Sequence, residues 1–119
     1  MANDFIRVCT PNISNSSNST IYAVPAGAGS SALESIVIGI TMANKTSSGV
    51  TASIFIDNED GTNDVFIVKD ASIPAGASLE VMSGNKLVLQ NDGSNADNLE
   101  ALASAANSVD VTVSVLQDV

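Results

Sequence analysis

The pattern that most limits what this chain can become lies near its end, where Val109, Val111, Val113 and Val115 alternate with Asp110, Thr112 and Ser114. Period-two alternation sends successive side chains to opposite faces of an extended strand, so this segment reads as a strand with one apolar face and one wet face. The same pattern recurs at Val50, Ala52, Ile54 and Ile56. Such an uninterrupted β-prone segment invites aggregation on an open sheet edge, and Val109 to Val115 is therefore expected at the centre of a sheet or under a neighbour.

Further segments of strand character are Phe5–Cys9, Thr20–Val24, Ser35–Ala43, Val65–Lys69, Ser78–Met82, Lys86–Gln90 and Leu99–Ala103. In Ser35–Ala43 the alternation puts Ile36, Ile38, Ile40 and Met42 on one side and Ser35, Val37, Gly39 and Thr41 on the other, as in an interior strand with a mixed outer face. Between the segments lies turn chemistry: Asn44 to Gly49, Asp57 to Asn63, Ser83-Gly84-Asn85 and Asn91-Asp92-Gly93. Asp97 to Ala106 is rich in Ala and Leu and could be a helix capped by Asp97, but it sits between strand-like segments where a meander needs a partner, and it is read as a strand. Roughly nine short strands with frequent turns describe an all-β, antiparallel, jelly-roll-like β-sandwich.

Pro11 to Thr20 is a Ser- and Asn-rich stretch that reads as a long loop. It divides the chain into an arm and loop over residues 1–19 and a sandwich domain over 20–119. Two turns share a sequence, Val24-Pro25-Ala26-Gly27 and Ile73-Pro74-Ala75-Gly76, and are read as convergent use of one good turn.

Composition closes off most chemistry. Histidine is absent, which removes the usual general base, the partner of a catalytic Ser or Cys, and the commonest metal ligand. No catalytic residue, no cofactor site and no metal site is assigned, and the chain is read as a non-enzyme. The carboxylates from Asp57 to Asp64 could gather an ion, but their spacing misses the EF-hand pattern and they are read as a solvated hairpin loop. The single cysteine, Cys9, forbids an internal disulfide and is expected to be a buried small hydrophobe. Thirteen acidic residues against four Lys and Arg give a net charge of -9, which opposes nucleic-acid binding. No apolar run approaches a membrane span and no signal sequence is visible at the start, so a soluble chain made in the cytoplasm is expected, with no membrane partner.

Thr20 to Gly27, Val37 to Asn44, Val50 to Ile56, Val68 to Leu79 and Val109 to Leu116, taken in that order, resemble a family of small structural proteins of tailed bacteriophages. The resemblance covers Thr20 to the C-terminus and brings no functional residue. It implies a virion location, assembled in the host cytoplasm, among capsid decoration (cement), neck or tail-associated proteins. The leading expectation is a decoration protein that stabilises the head as a homo-oligomer, with a trimer favoured and the major capsid protein as partner. A ring or fibre adaptor of the neck or tail is the alternative. A carbohydrate-binding module is the alternative of another class, resting on Tyr22, Phe5, Phe55 and Phe66 as the only rings that could stack on a sugar.

The interaction residues expected are Phe5, Ile6 and Val8 as apolar anchors and Arg7 as a polar one, all on an arm that would add to a neighbour's sheet or lie on the shell. Phe55, between Ile54 and Ile56, should point away from their face and is expected at a subunit interface. Tyr22 is expected to pack at a strand edge.

Overall fold

The computed structural model describes residues 3–57, 64–82 and 86–118. Nine strands follow in order: β1 (Asn3–Thr10), β2 (Ser19–Ala23), β3 (Leu33–Asn44), β4 (Val50–Asp57), β5 (Asp64–Ile73), β6 (Ser78–Glu80), β7 (Leu87–Asn91), β8 (Asn98–Ala103) and β9 (Val109–Asp118). They form two antiparallel sheets packed as a sandwich. Sheet A runs β1-β9-β3, with β6 and β7 sharing the far edge of β3, and sheet B runs β2-β8-β4-β5.

The pairing has one simple origin. The chain doubles back between β4 and β5, and each earlier strand then finds its mirror image later in the chain: β4 with β5, β3 with β6 and β7, β2 with β8, β1 with β9. That nested ribbon is rolled so that β9 also pairs with β3 and β8 with β4, which closes two sheets around one core. The result is the jelly-roll sandwich that the alternation and turn spacing imply. Val109, Val111, Val113 and Val115 all point into the core at 1% exposure or less, on a strand flanked by β1 and β3. Opposite them sheet B contributes Ile54, Leu99, Ala101 and Ala103. The Ala- and Leu-rich segment is β8, a strand.

Several expectations are corrected. In β3 the alternation does not run through. The register against β9 jumps from Val37↔Val115 to Gly39↔Ser114, leaving Ile38 as a bulged residue. A bulge adds one residue to one strand and so reverses the faces on either side of it. Leu33, Ser35 and Val37 consequently point inward along with Ile40 and Met42, while Ile38 is 40% exposed. The break coincides with the interval between β6 and β7 on the same strand, where Glu80 Oε1 accepts a hydrogen bond from the Ile40 amide at 3.2 Å.

The boundary expected at residue 20 is also absent. β1 is paired with β9 along its whole length, from Asn3↔Asp118 to Thr10↔Val111. The connection that follows is tied in as well. Ile13 is fully buried, its amide donates to the Val109 carbonyl at 2.9 Å, and the Ser14 carbonyl accepts from the Ala103 amide at 3.0 Å. Asn12, at φ 56°, donates its amide to Asp110 Oδ1 at 3.0 Å, and Lys45 forms an ion pair with the same oxygen at 3.0 Å. These contacts, the Asn12 amide first, hold the Asp110 carboxyl below the usual aspartate range.

Tyr22 is an internal cross-link. A bulge in β2 turns both Ile21 and Tyr22 inward, and the Tyr22 hydroxyl meets Ser35 Oγ at 2.8 Å and donates to Gln117 Oε1 at 2.7 Å, both on sheet A. Burial raises its phenol above the ordinary value, partly offset by the Ser35 bond. The two similar Pro-Ala-Gly turns differ in shape: Gly76 has φ 69°, with the Ala77 amide closing on the Pro74 carbonyl at 3.1 Å, whereas Gly27 bridges to Ser31. A Cβ at Gly27 would displace the Ser31 hydroxyl and come within 3.3 Å of the Ser31 and Ala32 carbonyls, a tight fit that a small local shift would have to relieve. Among the described residues no helix is long and apolar enough to cross a membrane.

Candidate interaction surface

The expected interaction residues of β1 separate by face. Ile6 and Val8 lie opposite Val115 and Val113 and pack, half-buried, against the core. Phe5 and Arg7 lie opposite Leu116 and Ser114 on the outer face of sheet A, Phe5 at 77% exposure. Cys9 follows them on that face and is exposed, contrary to the expectation of a buried thiol.

Register then reveals a feature that segment-by-segment reading misses. Phe5 pairs with Leu116, Leu116 with Ile36, and Ile36 with Val88. These four side chains form one row across β1, β9, β3 and β7, and cross-strand neighbours of this kind are in side-chain contact range. Val88 is 55% exposed, and Ile38 emerges beside the row at the bulge. A contiguous apolar row on a solvent face is a candidate for contact with another molecule, where a single exposed apolar residue is not. No interior partner covers them, because the core-facing positions of these strands are taken by Val115, Val37 and Leu89.

Phe55 is placed differently from the expectation. It stands outside the interior cluster, so its direction away from the core is as expected, yet it is only 5% exposed. Phe66, opposite it on β5, covers it with ring centroids 5.2 Å apart, and Lys69 Nζ lies 4.7 Å from the centroid of Phe66. Phe55 is thus capped by its own neighbours, and another molecule would meet Phe66, 46% exposed, there instead. On the adjoining strand Glu100 is nearly buried and accepts a hydrogen bond from Thr20 Oγ1 at 2.6 Å.

Of the four rings that could stack on a sugar, Tyr22 and Phe55 are enclosed, leaving Phe5 and Phe66, which lie on opposite sheets. Among the described residues no group of three or more His, Cys, Asp or Glu could hold a metal ion. Residues 58–63 of the Asp57–Asp64 loop fall outside the described residues. A shallow hollow of about 160 Å³ lies against Glu34, Gln90, Asn91 and Asp92, beside the apolar row. Asp92 accepts the Ser94 and Asn95 amides, which, Asn95 first, lower its carboxyl below the usual range.

No family model matches this chain, and no curated protein matches it. Among solved structures, a chain in the structure of infectious bursal disease virus Gx strain is 14% identical with a TM-score of 0.48, and the match covers 98% of this chain and 33% of that one. This chain therefore spans about a third of the viral chain's length. A chain from Bacillus endospore appendages, described as disulfide-linked pili, is 13% identical with a TM-score of 0.41, over 99% of this chain and 88% of that one. Likenesses at this level carry no argument about what this chain does.

Proposed function

We propose that this chain is a structural subunit of a tailed-bacteriophage particle, a decoration protein of the head, whose work is to pack the outer face of sheet A against neighbouring protein. The observation that carries this reading is the row Phe5–Leu116–Ile36–Val88. It places an apolar stripe across four strands on a solvent face, anchored in a rigid sheet and not on a loop. The ordered resemblance from Thr20 to Leu116 supports the particle, and the absence of histidine supports a role in packing over one in chemistry.

The test is capture by purified phage heads lacking decoration. Phe5→Asp should reduce capture about tenfold or more, because it places a charge in the middle of an apolar contact. The variant should keep the native melting temperature, since Phe5 is 77% exposed and contributes little to the fold. Undiminished capture by Phe5→Asp overturns the role of this face, and label found on tails instead of heads overturns the decoration reading. Deleting residues 2–10 is not a suitable test, because it would strip β1 from β9 and expose that strand's edge.

A further inference from the structure

The strands at the sheet edges treat their open sides differently. β5, at one edge of sheet B, is broken by two register shifts against β4 and carries Asp70 at φ 51° beside the first of them. β2, at the other edge, has a bulge between Thr20 and Tyr22. β6 and β7, on the far edge of sheet A, are 3 and 5 residues long. Bulges and short length are ways in which a sheet edge is kept from pairing with another chain. β1 has neither: it is 8 residues long and runs against β9 in unbroken register from Asn3↔Asp118 to Thr10↔Val111.

The bonds around β9 show which backbone groups of β1 face outward. The Lys45 amide donates to the Ser108 carbonyl and the Ile13 amide to the Val109 carbonyl, each at 2.9 Å, so Ser108 is directed toward β3 and Val109 toward the side of β1. Backbone direction alternates along an antiparallel strand, and Val111, Val113, Val115 and Gln117 therefore bond to Thr10, Val8, Ile6 and Asp4. The amides and carbonyls of Asn3, Phe5, Arg7 and Cys9 point away from the sheet, where among the described residues no strand pairs with them.

We propose that this open edge is occupied by the same edge of a second copy, the two β1 strands antiparallel about a two-fold axis that crosses the sheet at Ile6. The inference goes beyond the proposed function, since it uses an edge that contact through the outer face leaves open. The partner follows from the edges themselves. Each molecule offers one long regular edge, so between copies that edge can be matched only by its own counterpart, and the pairing closes as an isologous contact instead of extending into a fibre. Charge agrees with this. β1 and β2, which meet at this side of the sandwich, hold one acid and one base between them, Asp4 and Arg7, in a chain of net charge -9. Glu34 and Glu80 lie two and three strands away on β3 and β6, about 10 to 14 Å from β1, and Asp57, Asp64 and Asp70 lie on β4 and β5 toward the opposite edge of sheet B. Two acidic molecules therefore approach edge to edge through neutral strands.

With the axis at Ile6, Asn3 lies opposite Cys9 of the second copy and Phe5 opposite its Arg7, and the reverse, so every outward amide and carbonyl of β1 is bonded. Sliding the strands by two residues one way leaves Cys9 past the end of β1, and sliding them the other way sets Arg7 directly against Arg7. In the chosen register each Arg7 instead flanks the ring of Phe5 across the seam.

The test measures solution mass by light scattering on the native chain and on Arg7→Pro. The native chain should dimerise, and amide exchange at Phe5, Arg7 and Cys9 should slow as it is concentrated. Proline is accepted on an edge strand where the lost N–H faces outward, so Arg7→Pro should keep β1 on β9 and weaken the dimer about tenfold or more. Asn3→Cys tests the register without proline. The new cysteine and Cys9 are about 20 Å apart along one strand and cannot bond within a chain, whereas across the seam their Cα atoms lie about 5.5 Å apart, within disulfide range. Mild oxidation of this variant should give a covalent dimer on a non-reducing gel, and the native chain treated alike should not. A native chain that stays monomeric at millimolar concentration overturns the proposal, as does a dimer indifferent to Arg7→Pro or an Asn3→Cys chain that does not cross-link. Should Arg7→Pro lower the melting temperature, the Asn3→Cys result decides alone. Heads that capture the native chain in a Phe5-dependent manner while it stays monomeric would leave the proposed function standing and this inference refuted; a dimer cross-linked at this seam that heads do not capture would do the reverse.

Discussion

The outer faces of the two sheets hold similar kinds of residue and treat them in opposite ways. Sheet B places Phe66 over Phe55 and Lys69 over Phe66, and gives nearly buried Glu100 a hydroxyl from Thr20, so Phe55 and Glu100 are covered within the chain while Phe66 itself stays 46% exposed. Sheet A leaves Phe5 and Val88 in water with only Leu116 and Ile36 beside them. The difference teaches that an apolar residue facing outward does not by itself define a contact surface. What matters is whether the strands beside it carry a side chain large enough to lie over it. On sheet B the cross-strand neighbour of Phe55 is another ring, which encloses it; on sheet A the cross-strand neighbour of Phe5 is Leu116, which leaves Phe5 77% exposed.

Alanine at the two rings gives the sharpest contrast. Phe55→Ala should cost about 3 kcal/mol of unfolding free energy, as for a ring removed from a packed site. Phe5→Ala should change stability by less than about 0.5 kcal/mol, as at an exposed site. Chemical denaturation of both variants checks this, and equal losses would dissolve the distinction between a covered ring and an open one. A smaller effect is expected at the other end of sheet A's outer face. Asp110 has its carboxyl lowered in the folded chain, so it contributes stability above the ordinary aspartate range, and that contribution is lost as pH falls through the lowered value. Asp110→Asn should therefore flatten the acid limb of the stability profile while costing most at neutral pH. Since Asp110 and Lys45 are each about two-fifths exposed, the effect should remain small, and a profile parallel to that of the native chain would refute it.

Much of the fold is legible because alternation in β9 and β4 is a local property of consecutive residues. The bulge at Ile38 is not, since a bulge is defined by a partner strand and nothing in Ile36-Val37-Ile38-Gly39 tells which residue goes unpaired. The inward Tyr22 escapes for the same reason: Ile21 and Tyr22 share a face only through the register shift against β8. Of the candidate surface, Phe5 and Arg7 can be picked out as outward-facing apolar and charged residues on β1. The row they border cannot, because Leu116, Ile36 and Val88 join it through pairings between distant parts of the chain. Phe55 is legible in direction and not in cover, which depends on the register that sets Phe66 opposite it.

The nested ribbon has a consequence in time. Pairings near the β4–β5 reversal join residues close in sequence, whereas β1 with β9 joins segments far apart in sequence, and closing that longer loop costs more entropy. As an edge strand held by that distant pairing, β1 should dock late, and amide hydrogen exchange should be faster in β1 than in β3, β4 or β9. Until β1 docks, the valine-rich β9 is an edge strand. The interval in which the folding chain is most prone to pair with another is therefore set by how quickly β1 finds its place on β9.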